Sequence, residues 1–212
     1  MTRIALIDGP LPPGQFGCTT LLDPENTAVV DSSAGHHASA LAAAIHSAAP
    51  DAEILSIPVF KGGLSARVSD LVTALRIAAD IGAEITHCSL GLGRNDPDVA
   101  AAIAALQGRI IVASAPARGD PVWPAALPAV LSVQGDARCG PGQWSVLDLP
   151  TADYGACPHP DPTHGIAGAS LAAARLTGLL AGQALTTETE ARHWLRSAAA
   201  WYGRERRTAD QP

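Results

Sequence analysis

Apolar and polar positions along this chain fall into blocks whose period changes from one block to the next. RIALID (3 to 8) is a short, nearly unbroken apolar run closed by an acid, the pattern of a strand buried on both faces. HHASALAAAIHSA (36 to 48) is rich in strong helix formers and predicts a helix. EILSIPVF (53 to 60) predicts a second strand, and in ARVSDLVTALRIAADIG (66 to 82) Val68, Leu71, Leu75, Ala78 and Ile81 recur at helical spacing before Gly82 stops the helix. The alternation continues with EITHCSL (84 to 90) as strand, DPDVAAAIAALQG (96 to 108) as helix, and RIIVASA (109 to 115) and AVLSV (129 to 133) as strands. GIAGASLAAARLTGLLA (165 to 181) reads as a glycine turn running into a helix. Thr187 and Glu190 make a capping box that starts a last helix through about Trp201, and a polar tail follows from Gly203. Apolar strands separated by helices predict an α/β fold: a doubly wound, mostly parallel sheet with helices on both faces. No internal repeat or interdomain linker interrupts it.

Composition narrows the setting. The 212 residues suffice for one substantial domain with a single core, and 47% hydrophobic against 16% charged residues excludes a disordered chain. Fourteen Lys and Arg against 20 Asp and Glu give a net charge of -6 with no basic stripe, which argues against nucleic acid as a partner. The longest apolar stretch, near 171 to 185, is interrupted by Arg175 and is too short to span a bilayer. MTRIALIDGP has neither the length nor the cleavage pattern of a signal peptide, so the expectation is a cytoplasmic protein without membrane contact. Cys18, Cys88, Cys139 and Cys157 are too few and too scattered for a disulfide scaffold and read as free thiols. Trp194 and Trp201, seven apart, are expected on one helix face packed as core.

In a doubly wound sheet, chemistry collects at the carboxyl ends of the strands. Asp8 closes the first strand, His36 opens the following helix after Gly35, and Ser170 stands where a glycine turn becomes a helix. Each has a plain structural reading: an acid capping a loop, a half-buried histidine, and a helix N-cap whose hydroxyl bonds free amides. Ser170 also has a chemical reading, since a helix start offers free N–H groups and a positive dipole end to a developing oxyanion.

Together these residues follow the chain order Asp, His, Ser known from subtilisin. The sequence resembles the subtilisin-like serine proteases at this point. IALIDG is similar to the family's aspartate motif, GHHASALAAAI to its histidine motif GHGT, and GASLAAA to GTSMAAP around the nucleophile. APDAEILSIPVF, ITHCSLG, IIVASA and WPAALPAVLSV resemble the intervening strands in order, and the likeness runs from residue 3 to about 200. The resemblance implies a peptidase domain over 1–202 with a tail over 203–212. It implies Ser170 as nucleophile, His36 as base and Asp8 as the group orienting it, with the Ser170 backbone amide donating to the oxyanion. Ser89, Leu90 and Gly91, similar to the family's SLG, would pair with an extended substrate, and Ser114 would lie near the specificity pocket. No cofactor or metal is implied, and the expected partner is a peptide or protein substrate, with a maturation partner protein as a further expectation.

The sequence also departs from the family. Pro116 and Ala117 stand where the family has a GN pair whose asparagine supplies the second oxyanion donor, and loss of such a donor costs about 100- to 1,000-fold in turnover. Arg118, Asn95 and His164 are the candidate substitutes. GHGT has become Gly35, His36, His37, Ala38, so an alignment shifted by one nominates His37. His36 is preferred because it follows Gly35 directly and leaves Leu41 and Ile45 facing inward. Ala174 replaces the family's proline, nothing resembling a pro-region precedes Asp8, and no acidic cluster suggests a calcium loop. Such restraint favours a dedicated processing protease that removes a leader peptide. Two rival readings remain: a peptide-binding module of the same fold without turnover, and a metal hydrolase using Cys157, His159 and His164, whose spacing matches no zinc pattern.

Overall fold

The computed structural model describes residues 1–17, 19–20, 30–160 and 165–205. Strand β1 (Arg3–Asp8) is followed by a 3-10 turn (Gln15–Gly17), β2 (Thr19–Thr20), helix α1 (Ser33–Ala48), β3 (Glu53–Pro58), α2 (Val68–Asp80) and β4 (Ile85–Cys88). Next come α3 (Pro97–Ala104), β5 (Ile110–Ser114), β6 (Leu131–Gly135), β7 (Trp144–Val146) and β8 (Tyr154–Ala156). The chain continues through α4 (Ala169–Gly182), α5 (Glu188–Ala198) and β9 (Trp201–Tyr202).

The strands form one sheet in the order β2-β3-β1-β4-β5-β6-β8-β7-β9. Every pairing is parallel except β7 with β8. Alternate residues of the buried strands feed two cores. Ile4, Leu6, Ile54, Ile85 and Val112 pack under α1, α4 and α5, while Ala5, Ile7, Ile57, Ile111 and Ala113 pack under α2 and α3. The expected doubly wound architecture is therefore present, with helices on both faces. After β3 the chain returns to the other side of β1 to lay down β4, and this reversal opens a crevice at the carboxyl ends of β1 and β4.

Three expectations need correction. The last helix stops at Ala198, where Ala199 turns extended, and Trp201 lies in β9, paired with Ser145 of β7. Trp194 and Trp201 therefore share no helix face: Trp194 stacks on Trp144 with ring centroids 4.4 Å apart, and Trp201 is 42% exposed. The Pro- and Gly-rich stretch 155 to 165, whose composition suggests a surface loop, begins with the buried Gly155 and Ala156 of β8. Finally, α1 begins at Ser33 rather than His36, because the Ser32 side chain caps it by accepting from the Gly35 N–H. Cys88, Cys139 and Cys157 are free and buried, whereas Cys18 lies outside the described residues. Among the described residues, no helix is long and apolar enough to cross a membrane.

Candidate active site

Asp8 is the last residue of β1 and has no solvent exposure. Its Oδ1 accepts from the Gly9 N–H at 2.8 Å, and its two oxygens lie 2.9 and 3.1 Å from Nδ1 of His37. An ionised carboxylate can only accept, so His37 Nδ1–H donates to Asp8.

This geometry corrects the expected histidine. His36 points to solvent, and His37 is the half-buried residue that meets Asp8. With α1 started three residues earlier by its Ser32 cap, consecutive side chains about 100° apart place only one of the pair against β1. Gly35 fixes that placement, since a Cβ there would sit 1.9 Å from the Val30 carbonyl oxygen. The missed signal was present in the sequence: His37, Leu41 and Ile45 recur every four residues, and both apolar members are fully buried.

Ser170 is the second residue of α4, so it is not the N-cap. That position belongs to Gly168, whose φ of 98° and ψ of -157° suit glycine. The helix ladder begins with the Ala172 N–H donating to the Gly168 carbonyl, and the amides of Ala169, Ser170 and Leu171 make no backbone hydrogen bond among the described residues at the positive end of this 14-residue helix. Ser170 and His37 line the same cavity of about 320 Å³, together with Phe60, Leu64, Arg67, Ser89, Leu90, Gly91 and Leu92. No hydrogen bond joins Ser170 to His37 among the described residues.

Ser89, Leu90 and Gly91 follow β4 along one wall of this cavity. Leu92 is bridged to Trp123, but Leu90 and Gly91 form no backbone hydrogen bonds among the described residues, which leaves their N–H and C=O groups for an extended peptide. The Ser89 hydroxyl is buried without a partner. Ser114 ends β5 and lines neither this cavity nor the larger one beside it.

That larger cavity, of about 580 Å³, begins at the same turn. Ala117, Arg118, Gln134, Gly168 and Ala169 are among its walls. Of the candidate substitutes for an oxyanion side chain, Arg118 stands on this wall, Asn95 is exposed and lines neither cavity, and His164 lies outside the described residues. Cys157 and His159 are otherwise engaged: Arg175 Nη1 is 3.0 Å from Cys157 Sγ, and His159 Nε2 is 3.2 Å from the Ala137 carbonyl. Among the described residues no group of three or more His, Cys, Asp or Glu side chains is placed to hold a metal.

No protein-family model matches the chain, and no curated protein matches it. Solved structures do. The structure of the prenylagaramide maturation protease PagA is 22% identical, covers 86% of this chain and 74% of its own, and has a TM-score of 0.62. A serine-to-alanine mutant of the protease domain of PatA is 21% identical over 93% of this chain and 82% of its own, with a TM-score of 0.65. Pseudomonas sedolisin, a serine-carboxyl proteinase complexed with two molecules of pseudo-iodotyrostatin, is 16% identical over 92% and 80%, also at 0.65. The chain has the subtilisin-like protease fold.

Proposed function

We propose that this chain is a serine endopeptidase in which Ser170 attacks the scissile carbonyl and His37 is the base. The observation that carries the reading is the Asp8–His37 pair facing the cavity that also holds Ser170. His37 Nε2 takes the Ser170 proton and returns it to the leaving amine, while Asp8 holds the imidazole tautomer and stabilises its protonated form. The Ser170 amide donates to the oxyanion. An extended substrate pairs with the open backbone of Leu90 and Gly91.

We further propose a cytoplasmic processing role, in which the enzyme removes a leader from a modified peptide or small protein subunit. PagA, described as a maturation protease, supports that class of client. The maturation protease for the small subunit of quinohemoprotein amine dehydrogenase is a narrower candidate role, and incubation with that modified precursor tests it. A second reading has a specific observation in its favour. With Ala117 at the usual asparagine position and Ser170 not bonded to His37, the fold would also serve a peptide-binding module without turnover.

Intact-mass spectrometry after fluorophosphonate treatment separates the two. The expected result is one adduct on the parent protein, lost in Ser170→Ala and His37→Ala and retained in His36→Ala. Absence of an adduct on the parent, with peptide still bound by Ser170→Ala, would favour the binding module.

A further inference from the structure

Two cavities meet the start of α4. One holds Ser170 and His37, and the other holds Gly168 and Ala169, the two residues before the nucleophile. A peptide seated on Ser170 therefore has one flank beside each. The first is walled largely by apolar side chains, Phe60, Leu64, Leu71 and Leu90 among them. The second carries two arginines, Arg118 and Arg204, against the single Arg67 of the first, and neither of the two makes an ion pair among the described residues.

Two carboxylates, Asp136 and Glu205, line the same cavity. Asp136 is committed to Arg138, at 2.7 Å from Nη2, and to the Ser145 hydroxyl at 2.6 Å. Glu205 acts on that same Arg138. Arg204 is held near the turn because Gly203 is tied on both sides: its N–H donates to the Val146 carbonyl, and its carbonyl accepts from Arg138. On a molecule of net charge -6, this wall thus offers two guanidiniums that make no ion pair among the described residues.

We infer that this cavity reads a carboxylate on the substrate: an Asp or Glu side chain within a few residues of the scissile bond, bound by Arg118 and Arg204. The inference rests on the protease reading and narrows its substrate class. Guanidinium suits the task, since its planar fork matches a carboxylate with two parallel hydrogen bonds. Both arginines are exposed, so the preference they confer is moderate and weakens with salt.

The test uses the full chain and decapeptides capped at both ends, scanned with Asp, Glu, Asn, Gln and Lys at each position and followed by mass spectrometry. At one position flanking the cut, the acid should exceed its amide about tenfold in kcat/KM at low salt. Arg118→Gln and Arg204→Gln should each reduce that ratio several-fold, and the double change Arg118→Glu with Arg204→Glu should shift the preference to Lys. An acid-to-amide ratio near one in the parent overturns the inference, as does a ratio that survives both substitutions. If Arg118→Gln slows both peptides equally and keeps the ratio, the residue serves the oxyanion instead and the inference falls. Uncapped peptides form a second arm: a preference seen only with a free chain end assigns the carboxylate to the terminus and overturns the side-chain assignment. A parent that takes the fluorophosphonate on Ser170 but shows no charge preference loses this inference alone, whereas one that neither takes the label nor cuts any peptide loses the protease reading with it.

Discussion

Asp8 sits at the end of β1 without solvent contact, and that burial pushes its carboxyl above the ordinary carboxylate range, against the pull of the His37 and Gly9 hydrogen bonds. A carboxyl whose pKa rises on folding contributes stability that is full below its unfolded value, near 3.8, and is lost as pH rises through the folded value. Asp8→Asn removes the ionisation yet keeps an oxygen that can accept from His37 Nδ1 and the Gly9 N–H. Its Tm relative to the parent should therefore climb as pH rises through the carboxylate range and stand at or above the parent at pH 7. Turnover should fall about 10,000-fold, because a neutral amide lacks the charge that stabilises the protonated imidazole. Thermal unfolding at several pH values beside a peptide-cleavage assay checks both halves, and a Tm well below the parent at pH 7 would contradict the burial argument. At this scale the sequence singled out Asp8 and Ser170 by their places at the end of a strand and the start of a helix, and the structure puts them there. The histidine was not read correctly, since one residue of register separates His36 from His37 and the Ser32 cap sets that register.

Helices α1 and α4 carry His37 and Ser170 respectively, so their packing sets the distance between the proposed base and nucleophile. They approach closely because α4 presents glycines to α1. A Cβ at Gly178 would lie 2.7 Å from the Ile45 carbonyl oxygen and 3.1 Å from the Ala48 Cβ, and one at Gly182 would lie 2.7 Å from the Ala48 carbonyl oxygen. Gly178→Ala must push the helices apart at about 1–3 kcal/mol, of which the gain in helix propensity offsets at most about 1 kcal/mol. The expected outcome is a lower Tm together with slower fluorophosphonate labelling of Ser170; unchanged labelling at a lowered Tm would mean that α4 adjusts without moving its first turn. Long elements such as α2 were legible from their period. Strands β7, β8 and β9 were not, since two or three residues are too few to show an alternation.

His87 links the sheet to the stability of the whole molecule. It stands on β4 between Leu6 and Val112, fully buried, with Nδ1 2.9 Å from Thr177 Oγ1 on α4. Thr177 donates its own proton to the Ala173 carbonyl, so it accepts from His87, and the bare Nε2 is left buried without a partner. Burial, helped by the nearness of His37, pushes the His87 pKa down to about 3 from 6.5. A histidine depressed on folding leaves the unfolded chain to take up the proton first. Its contribution to stability is therefore full above pH 6.5 and is lost as pH falls toward about 3. Denaturant unfolding should show stability declining through that window, by as much as several kcal/mol. His87→Gln should flatten the slope whatever it does to the height; an equal slope would assign the acid sensitivity to other groups.

The sequence by itself determined the order of β1, β3 to β6 and α1 to α5 and the doubly wound class, and it singled out Asp8, Ser170 and the Ser89–Gly91 segment, because these are local patterns of period, turn chemistry and strand ends. Tertiary structure alone decided which histidine meets Asp8 and that Trp201 joins the sheet through β7. It alone also brought Arg118 and Arg204 to one cavity wall beside the nucleophile turn. The physical reason is the same in each case. Facing depends on where a helix is capped and what it packs against, and proximity between residues far apart in the chain depends on how the whole sheet is laid down.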